Sequence, residues 1–137
     1  MLSRLVIIAL TALVTAVPAF AQPLKAPNFY LFQAPRLEAG QPITATLSTD
    51  AGQNFKDGSY VNVYTFQGRS GERISVTVSS WEFDTYVTVF DPDGFLVAQN
   101  DDSLAGDGSA SIDATLYVDG TYLVVVSGYS QWDTGEY

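Results

Sequence analysis

The chain has 137 residues, with 15 Asp and Glu, 6 Lys and Arg, and neither His nor Cys, so its formal net charge is −9. These counts exclude a Ser-His-Asp triad, a Cys-His nucleophile and a zinc site of the imidazole and thiolate kind. The length suits one domain. The acidic balance argues against a nucleic-acid partner, which needs a basic surface, and it disfavours anionic membrane surfaces.

The first segment has the three parts of a secretory signal peptide. Arg4 supplies a positive charge, residues 5–17 are apolar except for two threonines, and small residues stand at Ala19 and Ala21 before Gln22. The apolar run is shorter than the roughly 20 residues of a membrane-spanning helix. The sequence therefore predicts a cleavable signal peptide at 1–21, export to the periplasm or the extracellular space, and no membrane attachment after cleavage.

The remaining chain is predicted to be all-β. Residues 22–39 contain Pro23, Pro27 and Pro35 and are predicted to be an extended lead-in. Short β-branched or aromatic runs bounded by Gly, Asp, Asn or Pro then follow, which is the pattern of strands joined by turns. The predicted strands are 43–48, 60–66, 73–79, 85–90, 95–98, 110–117 and 121–127, with a polar loop at 50–59. This spacing predicts an antiparallel β-sandwich at 40–137.

Acidic residues flank the strand pair 85–90 and 95–98. Asp91-Pro92-Asp93-Gly94 suits a type I turn at one end of that hairpin, and Asp101 and Asp102 follow its second strand. At about 3.3 Å per residue the two acidic groups lie about 20 Å apart, so they cannot share one ion. We expect Asp84 to lie near Asp101 and Asp102, where oxygen ligands suit calcium. The alternative is that these acids only form turns and keep the surface soluble.

Aromatic residues outside the predicted strands are candidates for ligand binding. Trp81, Tyr129, Trp132 and Tyr137 fall in loops or near the end of the sequence. Exposed rings there could stack on sugars or contact a collagen-like polymer. Alternatively, the rings cover the open ends of the sandwich.

A carboxylate-dependent glycan hydrolase is a remote alternative. Such an enzyme needs two carboxylates about 5–10 Å apart in a cleft, one of them with a raised pKa. Nearly every acid of this chain falls in a predicted turn, where water keeps carboxyl groups ionised.

Seven short motifs together resemble the bacterial pre-peptidase C-terminal domain, a family related to the collagen-binding modules of clostridial collagenases. They are YVNVYTF (60–66), GERI (71–74), FDTY (83–86), DPDG (91–94), NDD (100–102), DGTY (119–122) and TGEY (134–137). The resemblance covers roughly residues 40–137. Asn62 stands where the family often has Asp, and the family pattern usually continues past Tyr137 through a last strand, so we expect a shortened strand with an unpaired edge there.

The resemblance implies a jelly-roll-like, non-catalytic module of the type appended to secreted peptidases, with calcium bound in some relatives. We therefore expect an exported accessory domain that binds an extracellular polymer or protein. The alternative is a remnant or fragment of a longer secreted peptidase that acts only in folding or export.

Overall fold

The computed structural model describes residues 34–54, 57–102 and 107–137. The predicted signal peptide at 1–21 and most of the predicted lead-in lie outside the described residues. The described part of the chain contains nine β-strands and no helix, hence no helix long and apolar enough to cross a membrane. The strands are β1 (Thr46–Leu47), β2 (Gly52–Gln53), β3 (Tyr60–Gly68), β4 (Arg73–Val78), β5 (Thr85–Phe90), β6 (Leu96–Asn100), β7 (Ala110–Thr115), β8 (Gly120–Gly128) and β9 (Gly135–Glu136).

Five strands form the larger sheet, in the order β2-β3-β8-β5-β6 with every pair antiparallel. β8 lies between β3 and β5, so it pairs on both edges. It also contains more buried apolar residues than any other of these strands, namely Tyr122, Leu123, Val124 and Val126. A central strand has neighbours on both sides and little contact with water, which explains why it lacks the strict alternation of a half-exposed strand.

The second layer is the antiparallel pair of β4 and β7. Along β4 the side chains alternate, so that Ile74, Val76 and Val78 turn inward while their neighbours face solvent. Opposite them stand Ala110 and Ile112 of β7, and the core cluster joins these residues to the inner faces of β3, β5 and β8. The architecture is a sandwich-like all-β fold, as the sequence predicted.

The two-residue strands agree with the sequence prediction only in part, since β1 lies inside the predicted strand 43–48 and β2 was not predicted. β2 falls inside the predicted polar loop, and only Thr46 and Leu47 of the predicted strand 43–48 are paired. Their partner is β9, and Ala45 and Tyr137 exchange two backbone hydrogen bonds of 2.9 and 3.0 Å. β2 and β9 each consist of a glycine and a polar residue, which have low β-propensity. Their strand conformation therefore depends on pairing with β3 and β1 rather than on composition.

The outer edge of β3 is covered by the segment just before β1. The Leu37 N–H donates to the Thr65 carbonyl at 2.7 Å, and the Thr65 N–H donates to the Pro35 carbonyl at 2.9 Å. This parallel bridge and the short β2 together shield one edge of the large sheet.

Candidate functional site

Three predicted ligand-binding rings are exposed at one end of the sandwich. Trp81 is 99% exposed, Trp132 72% and Tyr129 67%. Trp81 lies in the β4–β5 loop (79–84), whereas Tyr129 and Trp132 lie in the β8–β9 loop (129–134). The two loops are neighbours because Thr85 at the start of β5 pairs with Gly128 at the end of β8. The rings face water and do not cover the end of the sandwich.

Hydrogen bonds hold the two loops and β9 together. The Tyr129 N–H donates to the Asp84 carbonyl at 2.8 Å, which links the loops directly. The Ser80 hydroxyl donates to the Glu136 carbonyl at 2.6 Å, and the Glu136 N–H donates to the Glu82 carboxylate at 2.9 Å. Loops fixed in this way lose little further conformational freedom when a ligand binds.

The β8–β9 loop folds back tightly onto the end of β8. The Ser130 N–H donates to the Asp133 carboxylate at 2.8 Å, and the Asp133 N–H donates to the Ser130 carbonyl at 3.2 Å. A Cβ atom at Gly128 would lie 2.2 Å from the Cβ of Asp133, so only glycine leaves room for this approach.

Tyr137 does not join the exposed rings, and its placement among them was wrong. Its hydroxyl lies 2.5 Å from the Tyr64 hydroxyl and accepts a 2.7 Å hydrogen bond from the Asn62 amide. Its ring meets Phe83 edge-on, with the ring centroids 6.3 Å apart. Burial, and then the hydrogen bond to Tyr64, raise the pKa of Tyr137 well above its ordinary value. Tyr137 therefore belongs to the structural interior of this end.

The predicted calcium ligands lie at the same end of the sheet, close to these loops. Val87 pairs with Asn100, so the start of β5 lies beside the residues that follow β6. Burial raises the pKa of Tyr86, and the negative charge of Asp101 is the second cause, which indicates that Asp101 lies near that ring. Asp84 approaches Gly108, where a Cβ would lie 3.4 Å from its carboxylate.

Two oxygen atoms beside the predicted calcium ligands, the side-chain oxygen of Asn100 and the carbonyl oxygen of Asp102, already accept hydrogen bonds. The Asn100 side-chain oxygen accepts from the Asp101 and Asp102 N–H groups at 3.0 and 3.2 Å, and the Asp102 carbonyl accepts from the Ser111 N–H at 3.2 Å. Within residues 34–54, 57–102 and 107–137, no three acidic side chains form a group that could hold a metal ion. Calcium binding by Asp84, Asp101 and Asp102 stays a prediction.

A groove opens at the opposite end of the sandwich. It has a volume of about 340 Å³ and lies between β6 and β7, with Leu96, Tyr117 and Val118 among the lining residues. Tyr117 is 82% exposed although the sequence placed it in a strand. β7 ends at Thr115 while Leu116 still points into the core, so the next ring is released to solvent. Tyr117 has the same parity as the exposed Asp113, so the alternation along β7 was the signal that could have identified an outward-facing ring.

The carboxylate of Asp91 beside this groove holds the predicted turn. It accepts hydrogen bonds from the Asp93 and Phe95 N–H groups at 2.9 and 2.8 Å, and Gly94 has the positive φ of 85° that closes the turn. A carboxylate with two backbone donors acts here as a structural acceptor.

The chain is therefore a β-sandwich module with three solvent-exposed aromatic rings at its loop end. The family model of the bacterial pre-peptidase C-terminal domain matches residues 60–128, and the chain belongs to this family. Domains of the family are generally non-catalytic, are appended to secreted peptidases and occur in secreted proteins. No curated protein and no solved structure matches the chain.

Proposed function

We propose that this chain is an exported, non-catalytic accessory module that binds an extracellular polymer or protein through Trp81, Tyr129 and Trp132. The observation that carries the proposal is the exposure of these three rings on two loops that are fixed by hydrogen bonds. The exposure of large aromatic side chains to water is unfavourable. A ligand that covers these rings therefore gains binding free energy from their burial. Family membership supports the non-catalytic part of the proposal.

Retention on insoluble polymers tests this proposal. The protein without residues 1–21 is mixed with fibrillar collagen, chitin, cellulose or peptidoglycan, and the fraction that sediments is measured. Trp81→Ala and Trp132→Ala should each weaken retention on the bound polymer about tenfold, since central aromatic contacts commonly contribute more than 1 kcal/mol. The matched control is Ile43→Ala, which removes an exposed apolar side chain outside both loops and should leave retention unchanged.

Two results would count against the aromatic surface. One is equal retention of the wild type and both tryptophan variants. The other is an equal loss in Ile43→Ala, which would indicate nonspecific adhesion. The alternative role, a remnant or fragment that serves only folding or export, predicts no retention on any polymer, together with slower secretion of an attached peptidase when the module is deleted.

We further propose that calcium stabilises the loop end through Asp84, Asp101 and Asp102, which form no three-membered ligand group among the described residues and would have to draw together around the ion. The support is their position at one end of the β5–β6 pair and the preference of calcium for carboxylate oxygens. Millimolar calcium should raise the melting temperature, because a ligand that binds only the folded state stabilises it. Asp101→Asn should reduce that increase, whereas Asp50→Asn, in the exposed turn before β2, should not. An unchanged melting temperature in calcium would contradict this part of the proposal.

A further inference from the structure

β6 is an exposed edge strand beside the groove. β6 pairs with β5 on one side, and no strand of the described residues pairs with its other side. The opposite edge of the same sheet is covered by Pro35, Leu37 and β2, so the two edges differ. Uncovered edges present unpaired N–H and C=O groups, and proteins usually protect them with charged residues or proline. β6, with the sequence LVAQN, contains neither.

The floor of the groove is apolar and accessible. Of the lining residues, Leu96 is 41% exposed, Val118 is 37% exposed, and Tyr117 is 82% exposed. Val97 is the extra residue where the pairing of β5 and β6 shifts register, and it also lines the groove. A bulge of this kind bends the edge strand and increases its local twist. Backbone groups for pairing and apolar side chains for contact therefore occur together.

The charge around the groove has one sign. Asp91 and Asp113 line it, and the exposed Asp93 and Asp119 flank it in the adjacent turns. From residue 74 to residue 137 the sequence contains eleven acids and no Lys or Arg. A second copy of this chain, with a net charge of −9, would bring like charges together at this edge.

We propose that the β6 edge binds an extended peptide segment that carries lysine or arginine between apolar residues. The peptide adds a strand to the large sheet, and its main chain pairs with the outer edge of β6. Alternate side chains meet Leu96, Tyr117 and Val118, and the cationic ones lie near Asp113. This surface lies at the opposite end of β5 from the aromatic loops, so the inference goes beyond the proposed function and does not depend on it.

The probe is an octapeptide of alternating lysine and valine with both ends blocked, titrated into ¹⁵N-labelled protein without residues 1–21. We expect amide shifts confined to β6, the β5–β6 turn and residues 113–118, with slower hydrogen exchange in β6. The matched peptide with glutamate in place of lysine should not bind.

Leu96→Lys should weaken the affinity about tenfold, since it replaces an apolar contact by a repelling charge. Its control is Ile43→Lys, at an apolar residue of similar exposure outside the groove, which should bind like the wild type.

Asp113→Asn separates local recognition from general charge attraction. It should weaken binding about two- to fivefold, and Asp50→Asn, which removes the same charge elsewhere, should have a smaller effect. The proposal is overturned by an absence of shifts at millimolar peptide, by equal binding of the glutamate peptide, or by shifts confined to the loops of Trp81 and Tyr129. A protein dimer that is disrupted by Leu96→Lys would also overturn it, because the occupant would then be a second copy.

Discussion

Tyr137→Phe tests whether the buried hydroxyl pair fixes β9 to the body of the sandwich. The substitution removes one oxygen and keeps the ring against Phe83. Two hydrogen bonds are lost, the 2.5 Å contact with Tyr64 and the 2.7 Å bond from Asn62. The Asn62 amide retains its 2.9 Å bond to the Thr46 carbonyl, but the Tyr64 side chain, which is 6% exposed, loses its partner.

The magnitude follows from these contacts. A buried hydrogen bond contributes a net of about 0.5–1.5 kcal/mol, and a buried polar group left without a partner costs about 1–3 kcal/mol. Tyr137→Phe should therefore lower the free energy of unfolding by about 1–3 kcal/mol. For a domain of this size, 1 kcal/mol corresponds to about 4–8 °C in the melting temperature. Urea and thermal unfolding measure both quantities, and Tyr117→Phe, which removes an exposed hydroxyl, should change neither.

The dependence of stability on pH gives a second measurement on the same pair. The pKa of Tyr137 is raised in the folded state above its ordinary value of 10.0. Below that ordinary value both states keep the proton, so the contribution to stability is complete. As the pH rises further, the unfolded chain releases the proton while the folded chain retains it, and stability falls. Tyr137→Phe should make this alkaline decline shallower.

A double-mutant cycle identifies the partner. Tyr64→Phe and Tyr137→Phe should share a coupling energy of about 1 kcal/mol, so the double variant should be more stable than the sum of the single effects predicts. Additive effects, or a Tyr137→Phe variant with wild-type stability and an unchanged alkaline decline, would refute the reasoning.

Three further substitutions test other parts of the fold by urea unfolding. Thr85→Val should destabilise by about 1–2 kcal/mol, because the fully buried hydroxyl lies 3.1 Å from two main-chain carbonyls, whereas Thr85→Ser should restore most of that loss. Gly128→Ala should destabilise by about 1–3 kcal/mol through the overlap of its new methyl group with Asp133, and wild-type stability would contradict the tight loop. Asp91→Ala should destabilise by about 1 kcal/mol and Asp91→Asn by less, since the amide oxygen can still accept from the turn; equal losses would show that the turn does not use this acceptor.

Local sequence patterns predicted the long strands well. The bounds of β5 and the turn at 91–94 agree with the sequence prediction because β-branched residues and a Pro-Asp-Gly turn act over a few residues. The pairing of β1 with β9 depends on a distant partner, which no local pattern encodes, and β2 pairs with the next strand although its Gly-Gln sequence has low β-propensity.

The candidate site was predictable only in part. Tryptophan and tyrosine outside the strands indicated Trp81, Tyr129 and Trp132 correctly as exposed residues. Tyr137 was misplaced because its burial depends on the hydroxyl of Tyr64, which lies 73 residues earlier in the chain. Tyr117 was missed because it fell inside a predicted strand, although its parity with the exposed Asp113 indicated an outward-facing ring.

The position of β8 in the middle of the large sheet affects the order in which the molecule can be assembled. Gly120–Gly128 comes late in the chain, yet it is the strand that joins β3 to β5. Until those residues have been synthesised, the earlier strands have no common neighbour and the main sheet remains in two parts. A nascent chain of this topology therefore cannot complete its main sheet before β8 has been synthesised.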